Sequence, residues 1–135
     1  MAKTLHVLLI EDDADDVELL QDAFLHNKVD YVMDVINDGG EVSGHMRRMQ
    51  KFPDIIVMDL NLPKVHGKEI LRDLKASPVY KDIPVVVLTT SSSAEDKEYA
   101  LRLGANDFLI KPTSSEGLYA LVSVIAKIAS DSPAK

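Results

Sequence analysis

Asp54-Ile55-Ile56-Val57-Met58-Asp59-Leu60-Asn61-Leu62-Pro63 is the stretch on which the fold turns. Its uninterrupted apolar run reads as a buried strand, and the run ends by delivering one carboxylate, Asp59, to a loop. Carboxyl ends of strands are where open α/β sheets hold ligands and do chemistry.

Outward from that strand, short apolar runs alternate with amphipathic stretches along the chain, the pattern of βα units and a parallel sheet covered on both faces. The order reads βα five times. Leu5 to Ile10 predicts a first strand, Val17, Leu20 and Phe24 mark one face of a helix from about Asp13 to His26, and Tyr31 to Ile36 predicts a second strand. Asn37, Asp38, Gly39 and Gly40 make a turn, after which Val42, Met46 and Met49 give a weak helical spacing interrupted by Gly44. Asp54 to Met58 is the third strand, and Ile70, Leu71 and Leu74 line a helix from about Lys68 to Ala76. Pro84 to Thr89 carries Val85, Val86, Val87 and Leu88 and predicts the most buried strand. Ser93 caps a helix from Ala94 to Leu103 that Gly104 stops. Phe108 to Ile110 is the fifth strand, Ser115 opens a last helix to about Ala129, and residues 130–135 are expected to fray.

The 135 residues fit one domain spanning 1–135, with its core over about 5–129, and 46% hydrophobic with 27% charged residues is ordinary globular composition. Without cysteine there is neither a disulfide framework nor a thiolate metal site. A formal net charge of −7 with scattered Lys and Arg argues against a nucleic-acid surface. No apolar run reaches membrane-spanning length and no signal core opens the chain, so a cytoplasmic protein without a membrane partner is expected.

Acids are concentrated at one place: Glu11, Asp12, Asp13, Asp15 and Asp16 follow the first strand. Carboxylates at a helix N-terminus offset the macrodipole and cap free amides, which accounts for Asp13, Asp15 and Asp16. Glu11 and Asp12 precede the helix, at the sheet edge where Asp59 also emerges. Three converging carboxylates repel by on the order of 4 kcal/mol per pair at intermediate dielectric unless a cation neutralises them. Oxygen-only ligands with room for water favour Mg²⁺. Strand four ends in Thr89 and Thr90, and strand five in Lys111-Pro112, which directs an ammonium toward the acids. A carboxylate nucleophile, a divalent cation, an ammonium and a hydroxyl together make a site for phosphoryl transfer.

With these residues in this order, the chain resembles the receiver domain of two-component response regulators over nearly its full length, from Leu5 to about Ala129. The resemblance implies a CheY-like, doubly wound (βα)5 sandwich of flavodoxin type, with a five-stranded parallel sheet in the order 2-1-3-4-5. It implies Asp59 as phosphoacceptor, Asp12 as a direct Mg²⁺ ligand, Glu11 acting through water, and Asn61 contributing its backbone carbonyl to the metal. Thr89, with Thr90 beside it, matches the hydroxyl that grips the phosphoryl group, and Lys111 matches the family lysine. Pro112 matches a proline usually preceded by a cis bond, Gly67 the turn after the Asp59 loop, and Phe108 the aromatic switch residue whose ring moves inward. Asn61 and Ser91 occupy positions that tune dephosphorylation in the family, and His66 stands where the family most often has Asp.

The implied function is a stand-alone receiver in a phosphorelay, similar to the single-domain regulators that serve bacterial phytochromes. It would accept a phosphoryl group from a sensor histidine kinase or a histidine phosphotransfer protein and signal to a downstream protein through a changed surface. It would be a signalling protein that at most catalyses its own phosphotransfer and dephosphorylation. In the last helix, Leu118, Val122, Ile125 and Ala129 make one stripe and Leu121, Val124 and Ile128 add a second flank. That breadth predicts an interface, a homodimer or a partner helix, on helix four, strand five and helix five. One competing reading is a binding module indifferent to phosphorylation, against which the intact set of site residues argues. The other is a haloacid-dehalogenase-type phosphatase, which needs a second carboxylate where Asn61 stands.

Overall fold

The computed structural model describes residues 4–62, 66–90 and 93–131. Ser91 and residues 132–135 of the expected frayed tail lie outside the described residues. The elements run β1 (Leu5–Ile10), α1 (Ala14–His26), β2 (Tyr31–Ile36), a 3-10 turn (Gly39–Glu41), α2 (Val42–Arg48), β3 (Ile55–Met58) and α3 (Gly67–Ala76). They continue through β4 (Val85–Thr89), α4 (Ala94–Leu103), β5 (Asp107–Ile110) and α5 (Ser115–Asp131). All five strands pair in parallel, in the order β2-β1-β3-β4-β5.

Alternation along the strands builds two cores. Leu8, Ile10, Ile56, Met58, Val85 and Val87 lie on the side covered by α2, α3 and α4. Val7, Leu9, Ile55, Val57, Val86 and Leu88 face α1 and α5. Because successive side chains point to opposite faces, a strand with helices on both sides needs apolar residues at every position. Every residue of β3 and β4 is buried, as their unbroken apolar runs require.

Local signals set most helix ends. Asp13 caps α1 by accepting the amides of Asp15 and Asp16, Ser93 caps α4 through the Asp96 amide at 3.2 Å, and Gly104 ends α4 in the left-handed conformation. The second helix differs from its expected form. Asp38 caps the 3-10 turn through the Gly40 amide, α2 itself is seven residues long, and Met49 is already extended at φ −70° and ψ 131°. Gly44 lowers helix propensity in the middle of this segment, so little holds a further turn. At the other end of the chain α5 continues two residues past Ala129.

The second flank of α5 is mostly used in packing. Leu121 and Ile128 pack against the core shared with α1, and only Val124 of the three is well exposed, at 41%. A helix that covers both the sheet and a neighbouring helix needs a wider apolar stripe than the sheet alone demands.

Candidate functional site

The sheet register brings the candidate residues to one edge. Ile10 pairs with Met58, so Glu11 and Asp59 leave adjacent strands at the same level. The Asp59 amide donates to the Ile10 carbonyl at 3.2 Å, and the Glu11 amide to the Ile36 carbonyl at 3.0 Å. Thr89 pairs with Ile110, and the Lys111 amide donates to the Thr89 carbonyl at 2.8 Å, so the lysine steps off β5 beside β4. Strand order does the rest, since the reversal between β1 and β3 opens a crevice at their carboxyl ends.

Lys111 is the centre of the site. Its Nζ donates to Glu11 Oε1 at 2.7 Å, Asp16 Oδ2 at 2.7 Å and Asp59 Oδ2 at 3.0 Å, one acceptor for each ammonium hydrogen. The side chains of Lys111, Glu11 and Asp59 are 13%, 5% and 9% exposed, which makes these bonds largely shielded from water. Burial works against the ammonium, but hydrogen bonds to Asp16, Glu11 and Asp59 outweigh it and hold Lys111 above the ordinary lysine range. Burial pushes the Glu11 carboxyl up from its usual value; the Lys111 ammonium and the Asp13 amide oppose that rise only in part.

Asp59 is buried at the end of β3, and its Oδ1 accepts the Asn61 amide at 3.1 Å, folding the loop back onto the carboxylate. Thr89 is fully buried at the end of β4, while Thr90 and Asn61 are exposed. Asp12 is exposed on the loop between β1 and α1. Among the described residues no three acidic or histidine side chains stand close enough to hold a metal ion as they lie. The donor set nevertheless fits a hard cation: Glu11 and Asp59 share one positive charge already, the Lys111 ammonium, and offer only oxygen.

One expectation changes. The Lys111–Pro112 bond is trans, not cis, as are all peptide bonds among the described residues. For a bond to proline the two isomers differ by only about 0.5–1 kcal/mol, so sequence alone does not choose between them. Pro112 holds its place by packing on α5, where a β-carbon at Gly117 would stand 2.8 Å from the proline Cβ. Phe108 is 6% exposed and belongs to the core under α4, so its ring is packed inward in this structure. His66 is exposed and precedes α3 without capping it through its side chain.

Asp16 has a contact that sequence reasoning misses. It lies in the first turn of α1 as expected, and it also shares the Lys111 ammonium while Asp15 beside it is exposed. The only signal is helical phase: from a start at Ala14, Asp16 is the third residue of the first turn, rotated toward the strand ends.

The response regulator receiver domain family matches residues 7–123 of the chain. Response regulator Rcp1 of Synechocystis is 33% identical over 124 residues, which cover 88% of this chain and 84% of Rcp1. The phosphorylated cyanobacterial phytochrome response regulator RcpA superposes with a TM-score of 0.86 at 31% identity, covering 96% of each chain. The Mn²⁺-bound form of Rcp1 superposes with a TM-score of 0.80 at 32% identity, covering 90% of this chain and 91% of that one. The five-stranded order agrees with these likenesses, and the chain belongs to the receiver domains of two-component response regulators.

Proposed function

We propose that Asp59 is the phosphoacceptor, taking a phosphoryl group from the phosphohistidine of a sensor histidine kinase or a histidine phosphotransfer protein. A carboxylate oxygen of Asp59 forms a bond to phosphorus while the phosphorus–nitrogen bond of the donor breaks, its electron pair returning to the imidazole. The product is an acyl phosphate. Lys111, which donates to Asp59 Oδ2, transfers a hydrogen bond to the incoming phosphoryl oxygens, and the buried Thr89 hydroxyl binds another of them. Mg²⁺ held by Asp12, Asp59, the Asn61 carbonyl and, through water, Glu11 would supply the remaining positive charge to the transferred group. The observation that carries this reading is the shielded ammonium of Lys111 between Glu11 and Asp59, where transferred negative charge needs a partner.

The similarity to RcpA and Rcp1 supports a phytochrome-type sensor as the donor's class. The same reading assigns the protein to the cytoplasm, and no helix among the described residues is long and apolar enough to cross a membrane. Output would pass through α4, β5 and α5 to a protein target or a second copy of the chain. Tyr99 and Leu101 on α4, Ile110 on the edge strand β5 and Val124 on α5 are large exposed apolar residues there.

Incubation with Mg²⁺ and a small phosphodonor, followed by intact mass measurement, tests the reading. One phosphoryl adduct is expected in the wild type and none in Asp59→Asn or after chelation. An adduct that persists in Asp59→Asn overturns it by placing the phosphoryl group on another residue; none in the wild type at saturating donor overturns it and leaves a binding module indifferent to phosphorylation.

A further inference from the structure

Three carboxylates share the Lys111 ammonium, but only two of them, Glu11 and Asp59, belong to the proposed cation site. The third comes from α1. Asp16 is 34% exposed at its side chain and 2.7 Å from Nζ, as close as Glu11. It lines a small cleft between α1 and the start of α5, together with Glu11, Lys111 and Pro112. A residue serving only the helix dipole needs no such contact: Asp15, in the same turn, is exposed, and Asp13 alone accepts the first free amides.

We propose that Asp16 is a positioning residue that draws the Lys111 ammonium toward α1 and so frees Glu11 and Asp59 for a divalent cation. This rests on the phosphoacceptor reading of Asp59. When a cation draws on Asp59 directly and on Glu11 through water, it competes with the lysine for both carboxylates, and the lysine must yield part of its hydrogen bonding to them. Asp16 lets it do so without being stranded, because one charge-assisted bond remains at a position 13% exposed. The same bond keeps Nζ within reach of Asp59, where a phosphoryl group would need it. Without Asp16, the ammonium has only Glu11 and Asp59 as partners among the described residues and competes harder for both. The loss of one negative charge near the site acts in the same direction, so the two effects add.

The test is Mg²⁺ affinity, measured by isothermal titration or NMR on the full chain without phosphodonor. Asp16→Asn and Asp16→Ser should raise the Mg²⁺ dissociation constant about three- to tenfold. Asp15→Asn, which removes the same charge from the same helix turn, should raise it less than about twofold. Asp16→Glu, which can still reach Nζ, should restore most of the affinity. Equal effects at positions 15 and 16, no rescue by Asp16→Glu, or tighter Mg²⁺ binding in Asp16→Asn would overturn the proposal. Phosphoryl labelling of the wild type on the same samples separates the two ideas. Its absence sinks the phosphoacceptor reading, and this inference with it; intact labelling with no Asp16 effect sinks this inference alone.

Discussion

Gly67 lies against the backbone of Asp59: a β-carbon at position 67 would stand 2.5 Å from the Asp59 carbonyl oxygen and 2.5 Å from Leu60 Cα. The Gly67 amide donates to the Leu60 carbonyl at 2.9 Å, so the first residue of α3 closes the loop that begins at Asp59. Both obstacles are backbone, which cannot swing aside as a side chain does. Gly67→Ala should therefore cost about 1–3 kcal/mol of stability, read from urea unfolding, and slow labelling of Asp59. Unchanged stability would mean that the loop shifts freely.

Lys111 neutralises acids that otherwise face one another. Lys111→Met should leave Glu11 and Asp59 as shielded carboxylates without a counter-charge and destabilise the fold, by about 3 kcal/mol if the loss resembles that of a fully buried partner. Mg²⁺ should recover more of that stability in Lys111→Met than in the wild type, because the cation no longer displaces an ammonium. Thermal melts of both proteins with and without Mg²⁺ give the comparison.

Lys75 on α3 is a structural cation away from this site. Its Nζ donates to the carbonyls of Lys81 at 3.0 Å and Ile83 at 2.9 Å, tying α3 to the approach to β4. Burial lowers its pKa below the usual 10.5, with Asp82 opposing that only in part. Between the lowered value and 10.5 the folded state binds fewer protons than the unfolded state, so stability rises with pH across that window. Relative to Lys75→Met, the wild type should gain stability as pH approaches 10.5 from below and lose that gain as pH falls through the folded-state value. Urea unfolding at a series of alkaline pH values reads the slope; a flat difference between the two proteins would contradict it.

Val124 separates the packed part of α5 from the part left for a partner. Leu121 and Ile128 are engaged with the core, whereas Val124 is 41% exposed and Ile110 on the edge strand 45%. In a light-scattering concentration series the wild type should self-associate and Val124→Glu should stay monomeric with its melting temperature little changed. A wild type that is monomeric throughout removes the homodimer.

Much of this was legible because the decisive patterns are local. Five apolar runs predicted five strands, and the ends of the first, third, fourth and fifth carried Glu11, Asp59, Thr89 and Lys111. Ser93 and Gly104 bounded α4 as their capping chemistry requires. The second helix was less legible because Gly44 and the Gly39-Gly40 pair weaken every local preference there. The breadth of α5 suggested more free surface than exists, since a sequence does not reveal that α1 takes part of the stripe.

What the sequence determined by itself is the sheet and the edge at which the site forms. Parallel strands buried on both faces must be apolar throughout, and all of them must end at one side, so strand-end residues are brought together whatever the details of packing. Which acids meet Lys111 was decided by the tertiary structure. Asp12, Asp15 and Asp16 are near neighbours of one residue type, and only Asp16 reaches an ammonium 95 positions away. Each helical residue is rotated about 100° from the last, and the choice among adjacent acids depends on how α1 sits against β1 and α5, a relation between distant segments that no local pattern records.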